Sequence, residues 1–89
     1  MHAIVTVVGR DRVGIIAAVC NRLAAHNVNI LDITQTILRG SFTMVMAVDL
    51  SASTAAFGEL SASLTDLGTE MGLSIRIQRE EIFNAMHQI

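Results

Sequence analysis

The sequence predicts an α+β fold, a ferredoxin-like βαββαβ sandwich in which a four-stranded antiparallel sheet carries two helices on one face, with a short C-terminal helix after it. Three observations lead there. Four short segments are strand-like in their Ile and Val content or in their alternation, two others repeat apolar residues at helical spacing, and the six follow one another in that order. At 89 residues, the chain has material for one core, which predicts a single domain over 1–89 with its core in 2–79.

The first strand is expected at 2–8, rich in Ile and Val and stopped by Gly9. A helix over about 13–26 follows, with Ile16, Val19, Cys20 and Leu23 on its buried face, Asp11 as N-cap and Asn27 as the left-handed residue that ends it. The second strand, 28–38, puts Leu31, Ile33 and Ile37 on one side and Asp32, Thr34 and Thr36 on the other. Arg39, Gly40 and Ser41 form the turn into the third strand, 42–50, which alternates Phe42, Met44, Met46, Val48 and Leu50 with less apolar residues.

Ser51 and Ser53 offer hydroxyls to cap a second helix, whose stripe of Phe57, Leu60, Leu64, Leu67 and Met71 ends at Gly72; Gly68 weakens its last turn. Leu73, Ile75 and Ile77 alternate with Ser74, Arg76 and Gln78 in the fourth strand. Residues 80–89 form the C-terminal helix, opened by Glu80 and Glu81 and striped by Ile82, Phe83, Met86 and Ile89. In this topology the helix-free face of the sheet carries Thr6, Thr34, Thr36, Thr43, Arg76 and Gln78.

Composition removes several functions. Three Phe are the whole aromatic content and the net charge is -2, so neither the stacking platform nor the basic surface of a nucleic-acid binder is present. All six basic residues are Arg, which excludes Schiff-base chemistry and the lysine of a phosphate-gripping loop. A lone Cys20 fits a reducing, cytoplasmic setting and cannot chelate a soft metal with a second thiol; it reads as a small apolar residue of the helix stripe. His2, His26 and His87 have no metal-ligand spacing, no run is long enough to span a membrane, and no cofactor motif appears.

Two places invite a ligand. The loop from Gly9 to Ile15 enters a helix N-terminus, where free N–H groups and partial positive charge favour an anion, and Gly14 sits where a helix former would cost about 1 kcal/mol less. Close approach to that backbone and tight packing both explain Gly14. The second place is the second strand, an edge with no Pro or Lys and only Asp32 as a blocking charge, which predicts pairing with another chain in a two-fold homodimer. Cover by the C-terminal helix is the other way to protect it.

Gly9, Asp11, Gly14 and Ile15, followed after the helix by Asn27, Val28, Asn29 and Ile30, together resemble the ACT domain, over residues 2–79. Asp32, Ile33, Gln35 and Thr36, with Ile82, Phe83 and Met86, resemble in particular the stand-alone bacterial and archaeal members related to the glycine-cleavage-system repressor. The resemblance implies a regulatory module, not an enzyme, that binds an amino acid between two copies. It implies a site of Asp11, Arg12, Val13, Gly14 and Ile15 from one copy and Asn29 and Ile30 from the other. Asp11 would accept from the ligand's ammonium, the N–H groups of Gly14 and Ile15 would meet its carboxylate, and Asn29 would supply an amide.

Strands 1 and 2 are parallel in this topology, so the loop and Asn29 lie at opposite ends of the sheet, roughly 20 to 25 Å apart, and only an antiparallel partner joins them. The relatives' usual polar residue near the end of strand 1 and Pro before the motif's Gly are replaced by Gly9 and Val13, which leaves the ligand's identity open. Two other functions remain in view. One is a protein–protein interaction module without ligand. The other is an acylphosphatase-like enzyme using Arg10 and Arg12, for which the signature loop and a water-holding Asn are missing.

Overall fold

The Ile- and Val-rich opening segment continues through Gly9 to form β1 (His2–Arg10) in the computed structural model, which describes residues 1–82. The remaining elements are α1 (Ile15–Ala25), β2 (Asn29–Leu38), β3 (Ser41–Asp49), α2 (Phe57–Met71) and β4 (Ser74–Arg79). The sheet order is β2-β3-β1-β4 and all three pairings are antiparallel, which leaves β2 and β4 as edges and makes β1 parallel to β2. A helical turn opens at residues 80–82; Phe83, Met86 and Ile89 of the expected stripe lie outside the described residues.

Alternation sorts the side chains. Ala3, Val5 and Val7 of β1, Phe42, Met44, Met46 and Val48 of β3, and Ile75 and Ile77 of β4 meet Ile15, Val19 and Leu23 of α1 and Leu60, Leu64 and Leu67 of α2 in one core. Full burial of one such Leu or Ile is worth about 1.5–3 kcal/mol. By register the opposite face holds Thr6, Thr34, Thr36, Thr43, Arg76 and Gln78 as expected, together with Ile4, Val8, Val45 and Ala47.

Several local readings need correction. Asp11 does not cap α1: the N-cap is Gly14, at φ 92 and ψ 0, and no side chain closes that end. A β-carbon on Gly14 would meet nothing within 4 Å, so the glycine serves the left-handed turn and not tight packing. The buried stripe of α1 is Ile15, Val19 and Leu23, which turns Ile16 outward at 37% exposed and leaves Cys20 half-buried against the core. Ser51 and Ser53 do not cap α2 either, because Ala56 holds that position and Ser53 Oγ bonds Ala55 within the loop. Gly68 has a packing role: its missing β-carbon would lie 2.6 Å from the carbonyl oxygen of Leu73, where α2 crosses onto β4.

At the other ends the sequence signals hold. Asn27 takes φ 58 just beyond α1, and Gly72 takes φ 70 after α2. Arg39 and Gly40 both have positive φ, as a two-residue hairpin turn between twisted strands requires.

β2 departs from simple alternation. Ile30 pairs with Val48 and Asp32 with Ala47, so Leu31 is an extra, bulged residue. The bulge resets the period and puts Ile30, Ile33, Gln35 and Ile37 on the helix side, opposite Val48, Met46, Met44 and Phe42. Only Ile30 gains cover there. Residues 31–38 are exposed throughout, among them Leu31, Ile33, Ile37 and Leu38.

Candidate functional site

The loop between β1 and α1 is held from two sides. Asp11 N–H donates to the carbonyl of Gly40 at 2.7 Å, which ties it to the β2–β3 turn, and Arg12 Nη1 donates to the carbonyl of Met71 at 3.3 Å, which ties it to the end of α2. Gly14 then swings the chain into α1, whose first backbone bond runs from Ala18 N–H to Gly14 C=O at 2.9 Å. The N–H groups of Ile15, Ile16 and Ala17 therefore have no acceptor inside the helix. The same first turn lines a hollow.

That hollow has a volume of about 270 Å³. Asp11, Arg12, Gly14 and the first turn of α1 form one wall, and Gln35 and Ile37 of β2 with Phe42 of β3 form the other. The wall of free N–H groups carries the positive end of the helix dipole, Asp11 supplies an acceptor, and Ile16, Ile37 and Phe42 supply apolar surface. A small zwitterion suits such a set, its carboxylate on the helix end and its ammonium on the aspartate.

The far end of the same edge is different. Asn29 pairs with Asp49, which in turn pairs with His2, whereas the loop end is marked by Arg10 paired with Ser41. Eight steps of strand separate those levels, about 25 Å at roughly 3.3 Å each. Exposed Asn29 lies in a second hollow of about 260 Å³, with Ala24, Asn27, Val28 and Ala52. Asp49 beside it accepts from Ser51 Oγ at 2.6 Å and from Ser51 N–H at 2.9 Å, and these bonds hold its carboxyl below the ordinary range.

Of the residues expected to form a site, Asp11, Arg12, Gly14 and Ile15 come together. Val13 projects into solvent at 98% exposed and does not line the hollow. Asn29 and half-buried Ile30 stand at the opposite end of β2. Gln35, Ile37, Ile16 and Phe42 are wall residues that sequence reasoning did not place, although Gln35 carried a signal as a polar residue two positions from Ile33 and two from Ile37.

Among the described residues no cluster of His, Cys, Asp or Glu is arranged to hold a metal ion, and no helix is long and apolar enough to cross a membrane. His2 Nδ1 lies 3.3 Å from Glu80, and His26 Nε2 lies 3.1 Å from Ser63 Oγ in a network where Arg22 also reaches Ser63.

Residues 1–78 match the ACT domain family. The chain belongs to it. A UPF0237 protein of Listeria innocua is 53% identical to this ACT domain over 89 residues, the whole length of both. An ACT domain protein from Streptococcus pneumoniae is 40% identical with a TM-score of 0.82, and the match covers 93% of each chain. A putative glycine cleavage system transcriptional repressor shares the fold, with a TM-score of 0.75 at 24% identity over 86% of this chain and 44% of that one.

Proposed function

We propose that the protein is a metabolite sensor in which two copies pair antiparallel along β2 and bind an amino acid at each end of the seam. The observation that carries this is that two hollows border opposite ends of one bare edge strand, which we read as two half-sites. A two-fold axis through the middle of β2 lays Leu38 of one protomer beside Asn29 of its partner, and Leu38 adjoins the turn to which Asp11 is bonded. Each crevice then has a helix N-terminus and Asp11 from one protomer and an amide from the other.

Pairing also covers Ile33, Ile37 and Leu38, whose apolar exposure on an unprotected edge is a liability in an isolated protomer. Family membership supports the reading, since ACT domains are regulatory modules that bind amino acids between copies. The Gly14 turn and the Leu31 bulge support it too, because each aims one half-site. Arg10 does not line the hollow and Arg12 Nη1 donates to the carbonyl of Met71, which speaks against a phosphate cradle built from the two arginines. No reaction is assigned to the protein.

The test is complementation between protomers. Calorimetry with the common amino acids identifies a ligand, and Asp11→Ala and Asn29→Ala should each abolish its binding. When the two variants are mixed and allowed to exchange, half the dimers are hybrids with one intact site each, so about one site in four should recover. Sedimentation as a monomer at high micromolar concentration, or no recovery on mixing, rejects the shared site.

A further inference from the structure

We infer that Arg12 is a strap released by the ligand's carboxylate, and that its release passes occupancy of the loop hollow to the corner between α2 and β4. This rests on the amino-acid reading above. The need for a strap lies in α2. Its last turn has no basic residue and carries Glu70, so the negative end of the helix dipole meets a second negative charge. Backbone alone closes that end within the chain's own turn: Gly72, at φ 70, and Leu73 both donate N–H to the carbonyl of Gly68. The missing cation comes from another element, for Arg12 Nη1 reaches the carbonyl of Met71 at 3.3 Å.

The same residue belongs to the wall of the loop hollow, with Gly14 and Ile15 at the start of α1. Arg12 therefore stands between the positive end of one helix and the negative end of the other. Beside it the two corners are in firm contact. Val8 pairs with Ser74, and at the next position a β-carbon on Gly9 would run into the Leu73 side chain and lie 3.4 Å from its Cα. Gly68 of α2 packs as closely on Leu73, whose carbonyl oxygen lies 2.6 Å from where a β-carbon would be. Loop, Leu73 and the end of α2 form one joint, and the exposed Arg12 supplies its exchangeable polar bond.

Competition decides where the guanidinium goes. A bond from Arg to a carboxylate is charge-assisted, about twice as strong as one to a neutral carbonyl, and open to a bidentate geometry that a single carbonyl does not offer. A carboxylate held at the first turn of α1 also offsets the positive charge that Arg12 otherwise faces there. Arg12 turns to it, and α2 loses its cation. The coupling has an unusual sign, because binding orders the loop and loosens the last turn of α2. By linkage, another cation supplied to α2 makes the release cheaper and the ligand tighter.

The experiment is amide hydrogen exchange read residue by residue by NMR, with the amino acid that binds tightest in the calorimetric screen as probe. Without added amino acid, Arg12→Gln should speed exchange from Gly68 to Gly72 by about two- to fivefold, the factor expected of one cation at a helix C-terminus. Saturating amino acid should produce a similar increase there in the wild type, with slower exchange in the first turn of α1, and no further increase in Arg12→Gln. Glu70→Lys gives α2 a cation of its own and should tighten amino-acid binding by up to the same factor. Glu59→Lys, the same change of charge at the other end of α2, should leave the affinity as it is.

Exchange from Gly68 to Gly72 that is unchanged by Arg12→Gln, or that slows when the wild type binds its amino acid, overturns the strap while amino-acid sensing stands. So does a Glu70→Lys affinity no higher than that of Glu59→Lys. No binding of any common amino acid to the wild type overturns both.

Discussion

Gly14→Ala isolates the conformational cost of the turn that opens the hollow. Glycine holds φ 92 there, and a β-carbon would touch nothing within 4 Å, so the substitution changes backbone preference without a clash. Placing an L-residue in the left-handed region costs about 1–2 kcal/mol. Against this, alanine restricts the unfolded chain and returns about 0.4–1 kcal/mol. The net loss should be about 1 kcal/mol, which for a domain of this size lowers Tm by roughly 4–8 °C.

Gly58→Ala is the internal comparison, because Gly58 lies in the first turn of α2 with ordinary φ and open space around it. That change should stabilise the protein by about 0.5–1 kcal/mol. Urea unfolding read by circular dichroism should show both shifts in midpoint at constant slope. If Gly14→Ala is as stable as the wild type, or gains as Gly58→Ala does, the left-handed turn is not the reason glycine stands there. Gly14→Asn should lose less than Gly14→Ala, since Asn tolerates this region.

Gly68→Ala should cost about 1–3 kcal/mol despite better helix propensity, because the new carbon runs into the Leu73 carbonyl and α2 must lift from β4; a urea midpoint at or above wild type would contradict this. Ser63→Ala removes the hydroxyl shared by Arg22 and His26 and should cost about 1 kcal/mol, with Arg22 still bonded to the Ser63 carbonyl at 2.9 Å; a double-mutant cycle with Arg22→Ala measures the coupling. Ser51→Ala should raise the Asp49 pKa toward 3.8, as read by NMR titration. Because that carboxyl is depressed in the fold, its contribution is present above the ordinary value and lost as pH falls through the folded one, so the variant should lose less stability on acidification below about pH 4.

What was legible followed from periodicity. β3 and β4 alternate, α2 repeats Leu at three and four, and the threonine-bearing face falls out of the strand order. The misreadings were local. Asp11, Ser51 and Ser53 are residue types that favour caps, but the chain enters α1 through a glycine turn and α2 through Ala56. Consecutive Ile15 and Ile16 leave the phase of α1 ambiguous, and packing chose Ile15, which freed Ile16 for the hollow. No periodic reading reveals a bulge, so the partition of β2 failed at Leu31, where one added residue brings Ile30 and Ile33 to the same face.

The bulge also bears on how the edge is used. A kink in mid-strand would spoil an edge for pairing, whereas this one lies beside Ile30 and leaves Ile33 to Leu38 in regular register with β3. That uninterrupted stretch carries no Lys and no Pro and keeps three large aliphatic residues exposed. A protomer that worked alone would gain from charging it. On the proposed arrangement the same stretch closes the seam, while the bulge turns Asn29 independently of it, so the unfinished edge of the sheet and the unfinished halves of the site are completed by one contact.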